Sequence, residues 1–206
     1  MADEHQAPAE PQRRSALQGH YLTGDFGWLV DGVPGIELSE RRDLAIVHID
    51  AWFDKHGEVH HALRDDFDLT PPEKLRAVEL GQRAILSVGP NRWLVVEKES
   101  RDLFAAVRKS IPEDWAAVTD QGHSRVCWRL EGPALRQVLS KGSTLDFDTF
   151  GDGDCVGTIL GHFTVTIHGR GPSGADIYCA RSFAPDLHHW LVEASLEYGL
   201  RVTDPV

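Results

Sequence analysis

Twice along this chain an alternating apolar run gives way to apolar residues at helical spacing, and each time further alternating runs follow with glycine between them. The order strand, helix, strand, strand, helix, strand defines a split βαβ or ferredoxin-like unit. In the first half, Leu44 to Ala51 suits a strand, and Val59, Leu63 and Phe67 stand on one face of a helix over Gly57 to Phe67. Thr70-Pro71-Pro72 breaks the chain, and Ala84 to Val88 and Arg92 to Val96 flank Gly89-Pro90-Asn91 as a hairpin. Ser100 is placed to cap a helix whose apolar face is Leu103, Phe104, Val107 and Ile111, and Trp115 to Val118 supplies the closing strand.

The second half repeats the logic without repeating the residues. Ser124 to Leu130 alternates as a strand, Pro133 suits a first helical position, and Leu135, Val138 and Leu139 form a buried face that Gly142 ends. Val156 to Leu160, Phe163 to Ile167 and Asp176 to Cys179 read as strands. Ser182 then caps a last helix with Phe183, Leu187, Trp190, Leu191, Ala194 and Tyr198 on one face, stopped by Gly199. The expected fold class is α/β (α+β), with two ferredoxin-like β-α-β-β-α-β lobes. Residues 1–41 form an extended N-terminal arm and aromatic loop, 42–119 the first lobe and 120–206 the second.

Charge narrows the partners. A net charge of -11 repels phosphate backbones and anionic lipid, and basic residues reach only pairs such as Arg13-Arg14, Arg41-Arg42 and Arg108-Lys109. Neither nucleic acid nor a membrane surface is therefore expected. No apolar run approaches the roughly 18 to 20 residues of a spanning helix, and Met1 to Pro11 is too acidic and polar for a signal peptide, so a cytoplasmic location is expected. Cys127, Cys155 and Cys179 are widely spaced and odd in number, which suits buried, reduced thiols rather than a disulfide framework.

Several motifs hold the letters of a site without its context. Gly169-Arg170-Gly171-Pro172-Ser173-Gly174 satisfies the dinucleotide fingerprint, but a strand follows it where a helix is needed, and Pro172 removes an amide. His56 and His60 stand four apart with glycine where the zinc-protease motif has glutamate, and the paired His188-His189 should face solvent or a partner. Asp146, Asp148, Asp152 and Asp154 resemble a calcium loop, yet Phe150 and Gly157 fall where oxygen ligands are required. Asp120, His123 and Ser124 are near neighbours at a strand start, with no nucleophile elbow. No catalytic, cofactor-binding or metal-binding residue is assigned.

The run from Thr119-Asp120 through Leu130-Glu131-Gly132-Pro133-Ala134-Leu135, the Leu160-Gly161-His162 hairpin and the Arg181-Ser182-Phe183-Ala184 helix start resembles the gamma subunit of the heterotetrameric sarcosine oxidases. Upstream, Leu86-Ser87-Val88-Gly89-Pro90-Asn91-Arg92-Trp93-Leu94-Val95 looks like that family's first-lobe hairpin, so the resemblance runs from Arg42 to Leu200. A more distant resemblance is to the folate-binding aminomethyltransferases of the glycine cleavage system. The hairpin Leu160-Gly161-His162-Phe163-Thr164-Val165 has aromatic and hydroxyl groups where those enzymes carry acidic residues, and the chain stops where their C-terminal barrel would begin. Lys141-Gly142 is followed by Ser143, which departs from the lysine-glycine-cysteine signature of the related iron–sulfur proteins.

The resemblance implies a non-catalytic subunit of a sarcosine oxidase, an oxidoreductase complex that demethylates sarcosine to glycine and passes the one-carbon unit to tetrahydrofolate. FAD, FMN, NAD and zinc would sit in other subunits, and the partners would be alpha, beta and delta chains, chiefly the folate-domain part of alpha. An equivalent subunit of an N-methylglutamate or N-methylproline dehydrogenase, or a stand-alone tetrahydrofolate-binding protein, stays open. Candidate interface residues are Tyr21, Phe26, Trp28, Trp52 and Phe53, aromatic side chains in loops or at a strand end. The polar segment preceding them is expected to lie along a partner.

Overall fold

The computed structural model describes residues 14–42, 44–98 and 102–206. Two sheets pack face to face, and helices cover their outer sides. The first lobe runs β3 (Leu44–Ala51), α1 (His56–Phe67), β4 (Ala77–Leu80), β5 (Arg83–Gly89), β6 (Arg92–Lys98), α2 (Leu103–Ser110) and β7 (Ala116–Asp120). Its five strands lie in the order β4-β5-β6-β3-β7, antiparallel throughout. Leaving out the edge strand β4, this is the ferredoxin-like order read from the sequence.

The second lobe runs β8 (Arg125–Glu131), α3 (Leu135–Ser140), β9 (Cys155–Leu160), β10 (Phe163–Gly169), β11 (Gly174–Ala180), α4 (Ala184–Ser195) and β12 (Leu200–Val202). Its sheet also takes in β1 (Gly24–Phe26) and β2 (Ile36–Arg41), giving seven strands in the order β1-β12-β2-β8-β11-β10-β9. The segment 1–41, read as an arm, therefore supplies two strands of the second lobe. β2 lies antiparallel to β8 and parallel to β12, in the place the closing strand of a ferredoxin-like unit would hold. Chain pairing decided this, because Glu37-Leu38-Ser39-Glu40-Arg41 is too polar to announce an interior strand.

Side-chain parity explains the layers. In β3, β5 and β6, Val47, Ile49, Ile85, Trp93 and Val95 face α1 and α2, which bring Val59, Leu63, Leu103 and Val107. In β8, β10 and β11, Val126, Trp128, Leu130, Val165, Ile167 and Ile177 face α3 and α4, which bring Leu135, Val138, Leu187 and Leu191. The opposite faces meet. Leu44, Ile46, Leu86, Leu94 and Val96 pack against Cys127, Cys155 and Tyr178 between the sheets. A strand buried on both faces reads as a nearly continuous apolar run, which is why Ala84-Ile85-Leu86 and Leu94-Val95-Val96 have no polar member. Backbone joins the sheets at one edge, where Ala77 N–H donates to Gly153 O over 2.7 Å and Cys155 N–H to Leu75 O over 2.8 Å.

Helix α4 departs from the sequence reading. Ser182 lies exposed in a 3₁₀ turn and makes no side-chain cap; Phe183 stands at the N-cap position with its ring exposed, and Trp190 is half-buried. His188, expected to face outward, is buried and stacks on Tyr21 with ring centroids 5.3 Å apart. An N-terminal segment folded back over α4 buries it, and no periodicity within the helix could reveal that. His189 does face solvent, 3.2 Å from Glu193 one turn on. The Ser100 cap and the partner-bound strip before residue 14 lie outside the described residues.

Leu17 is fully buried in the second lobe's core, and Tyr21 and Phe26 pack against that core. Leu17→Ala should therefore cost about 2 to 5 kcal/mol, whereas His189→Ala should stay within about 0.5 kcal/mol, as read from urea midpoints. Removing residues 1–30 takes away Leu17, Tyr21 and β1 together, so the truncated chain should unfold at lower urea than the full chain. Equal midpoints would show that this segment adds nothing to the second lobe.

Candidate functional site: exposed aromatics and an arginine layer between the sheets

The candidate interface residues divide into two groups. Tyr21 is engaged by its own chain: its hydroxyl donates to Thr203 O over 2.7 Å and accepts from Glu40 N–H over 2.9 Å, while its ring covers His188. Phe26 lies partly against the second core. These two side chains contribute to the second lobe of their own chain. Trp28 and Phe53 are different, with exposures of 79% and 92%. Trp52 is 46% exposed, and its indole N–H is held by Glu113 O over 2.9 Å.

Trp28 belongs to a loop that carries other exposed apolar side chains, Val30 and Val33, turned tightly by a Val33 N–H to Val30 O bond of 2.9 Å. Gly199 fixes the loop against the end of α4. Its φ is +74°, and a Cβ there would meet Trp28 O at 2.7 Å, so only glycine permits the approach. Phe53 stands at the end of β3 in the other lobe. The two lobes thus each present an exposed aromatic residue.

Several of the candidate residues read from the sequence are engaged in local structure. The Gly169–Gly174 loop closes the β10–β11 hairpin, with Arg170 N–H donating to Gly174 O over 2.8 Å, so it cannot offer a helix N-terminus to a pyrophosphate. Asp120 accepts from Gly122 N–H over 2.9 Å, and Ser124 Oγ donates to Gln121 O over 3.2 Å, so neither is aimed at His123. His60 lies edge-on against Trp93, with centroids 5.4 Å apart. Asp152 accepts from Gly171 N–H, Asp146 from Asp148 N–H, and Asp154 pairs with Arg76. Among the described residues no group of three or more His, Cys, Asp or Glu is arranged to hold a metal. Gly142 and Gly161 leave room for the Trp190 ring, so Lys141-Gly142-Ser143 serves packing.

Between the sheets the apolar contact gives way to a polar layer that sequence reasoning missed. Asp176 on β11 is fully buried and binds Arg129 on β8 through Nε at 2.8 Å and Nη2 at 2.9 Å, and Arg41 on β2 through Nη1 at 2.8 Å. Register produces the cluster: Asp176 faces Arg129, and Arg129 faces Ser39, two residues before Arg41. The available signal was a pair of opposite charges inside otherwise apolar strands. A cleft of about 390 Å³ opens beside them, walled on the other side by Arg83, Lys98 and the β4–β5 turn. Cys127 lies next to this layer, and burial pushes its thiol well above the ordinary range, while burial carries Cys155 to about 12. All three cysteines are buried and unbridged, as expected.

Residues 53–197, more than half of the chain, match the family model described as sarcosine oxidase, gamma subunit. The chain belongs to that family. Two curated relatives are sarcosine oxidase gamma subunits from Corynebacterium, 27% identical over 125 residues in strain U-96 and 28% over 118 residues in strain P-1. These alignments span 60% and 56% of this chain, and 61% and 58% of the relatives. A chain in the structure of heterotetrameric sarcosine oxidase from Corynebacterium sp. U-96 superimposes with a TM-score of 0.76 at 23% identity, covering 90% of this chain and 96% of that one. The glycine cleavage aminomethyltransferase of Bartonella henselae gives a TM-score of 0.59 at 14% identity, covering 84% of this chain and 48% of that one. The fold is therefore shared with a chain of that heterotetrameric sarcosine oxidase and with part of the aminomethyltransferase.

Within this gamma-family chain, two electrostatic arrangements can be tested. Asp176→Asn would leave Arg41 and Arg129 without their common counter-charge, and a loss of about 3 kcal/mol or more is expected from denaturant unfolding. Burial holds the imidazoles of His48, His168 and His188 below their ordinary range, desolvation being the largest cause in each. The unfolded chain therefore takes up protons near pH ~6.5 where the folded chain does not, so stability is full above that pH and falls as pH drops through it. His188→Phe keeps a ring against Tyr21 and removes one titrating group. Its urea midpoint should fall less steeply between about pH 7.5 and 5.5 than that of the parent; equal slopes would exclude His188 as a contributor.

Proposed function

We propose that this chain is the gamma subunit of a heterotetrameric sarcosine oxidase and works as a structural, non-catalytic member of it. The observation that carries this reading is the match along almost the full length of both chains to a protein of the heterotetrameric oxidase. Exposed Trp28 and Phe53, one on each lobe, supply the kind of aromatic anchor that subunit interfaces use. In this reading the complex oxidatively demethylates sarcosine to glycine in the cytoplasm and transfers the one-carbon unit to tetrahydrofolate. FAD, FMN, NAD and zinc reside in the alpha, beta and delta partners. This chain covers the folate-handling part of alpha, excluding water from it. The local engagement of Asp120, Ser124, His60 and the Gly169–Gly174 loop favours a supporting role over chemistry of its own.

Co-expression with the alpha, beta and delta chains tests the proposal. The four should co-purify and oxidise sarcosine, and the isolated gamma chain should do neither flavin binding nor oxidation. Trp28→Ala and Phe53→Ala remove exposed rings, so each should leave the unfolding midpoint within about 0.5 kcal/mol. If either ring is an interface anchor, its loss should weaken assembly by about 30-fold, the effect of roughly 2 kcal/mol. Unchanged affinity in both variants would remove these residues from the interface, and failure of the four chains to associate would overturn the function.

A further inference from the structure

The cleft between the sheets is the least expected feature of an acidic chain. Its volume of about 390 Å³ falls in the range of small-ligand sites, but its walls are cationic rather than apolar. Arg41, Arg129 and Arg170 reach it from the seven-stranded sheet and its hairpin, and Arg83 and Lys98 from the five-stranded sheet. The carboxylate side chains lining it are Glu79 and Glu131, and the last residue, Val206, lines it as well. Glu79 is taken by Arg170, and Arg83 is matched by Glu97 over 3.1 Å.

Arg41 and Arg129 are not matched one for one. Their guanidiniums share the single carboxylate of Asp176, which is fully buried behind them, and Arg170 Nε approaches the same carboxylate at 4.0 Å. Asp176 uses Nη1 of Arg41 and Nε and Nη2 of Arg129, so both planar forks are held in place. Nε and Nη2 of Arg41 and Nη1 of Arg129 keep N–H groups with no hydrogen-bond partner among the described residues. Fixed guanidinium donors of this kind fit the planar or tetrahedral oxygens of carboxylate and phosphate groups, and little side-chain ordering remains to oppose binding.

We propose that this cleft binds a small multivalent oxyanion. One anionic group would engage Arg41 and Arg129, and a second would share Arg83 with Glu97 across the gap. Such a ligand would tie the two lobes together and stabilise the folded chain by mass action.

Isothermal titration of the full chain with citrate, inorganic phosphate and acetate, at one ionic strength held by sodium chloride, tests this. Citrate or phosphate should give saturable one-to-one binding at millimolar concentration or below, and acetate should not; the tighter of the two assigns the site to carboxylate or phosphate chemistry. Arg41→Gln leaves the Arg129–Asp176 pair intact and should weaken binding at least tenfold. Arg108→Gln alters an arginine paired with Glu113 on the outer helix layer and should not change it. In the unsubstituted chain, the preferred multivalent ion should slow phenylglyoxal labelling of Arg41 and Arg129 where acetate does not, which requires no variant to fold. Absence of saturable binding and of protection, unchanged affinity in Arg41→Gln, or equal weakening by Arg108→Gln would overturn the site.

Discussion

Leu86, Leu94 and Val96 on one sheet lie against Cys127, Cys155 and Tyr178 on the other, and this contact turns two small lobes into one molecule. Each lobe alone would have a sheet with helices on one face and apolar side chains open to water on the other. At ~1.5 to 3 kcal/mol for each large apolar side chain removed from water, joining the sheets outweighs what short helices such as α3 could contribute by propensity. The backbone bonds between Leu75 and Cys155 and between Ala77 and Gly153 then pin the sheet edges in register. The position of Trp28 on the second lobe relative to Phe53 on the first is set by that contact.

The same inter-sheet layer ends in Asp176 and its arginines, and stability does not explain that choice. A buried ion cluster loses much of its Coulombic gain to desolvation, and well-packed hydrophobic residues of similar volume are often as stable or more so. Apolar residues already fill the neighbouring half of the layer. What the charged half provides instead is a cleft with oriented donors, set inside a chain whose net charge is -11. That contrast is the physical ground for regarding the cleft as a place where something binds.

The family model places the chain among the sarcosine oxidase gamma subunits, and the likeness to the aminomethyltransferase is one of fold. Asp120, Ser124 and His60 are engaged in turns and a ring contact within the chain. Trp28 and Phe53, by contrast, are largely exposed.

Local sequence determined the first lobe nearly completely, because its strands and helices carry strong periodicity and its hairpin turns on Gly89-Pro90-Asn91. It also determined the helix–strand order of the second lobe up to Gly199, and the buried state of the cysteines. Tertiary structure alone decided that Ile36–Arg41 is an interior strand, that Leu200–Val202 pairs with it, and that Tyr21 covers His188. Short or polar segments have no pattern of their own, so their conformation comes from the sheet edge and helix face they meet. The Asp176 cluster is the same case for side chains: residues 41, 129 and 176 are distant in sequence, and only strand register brings Arg41 and Arg129 to one carboxylate.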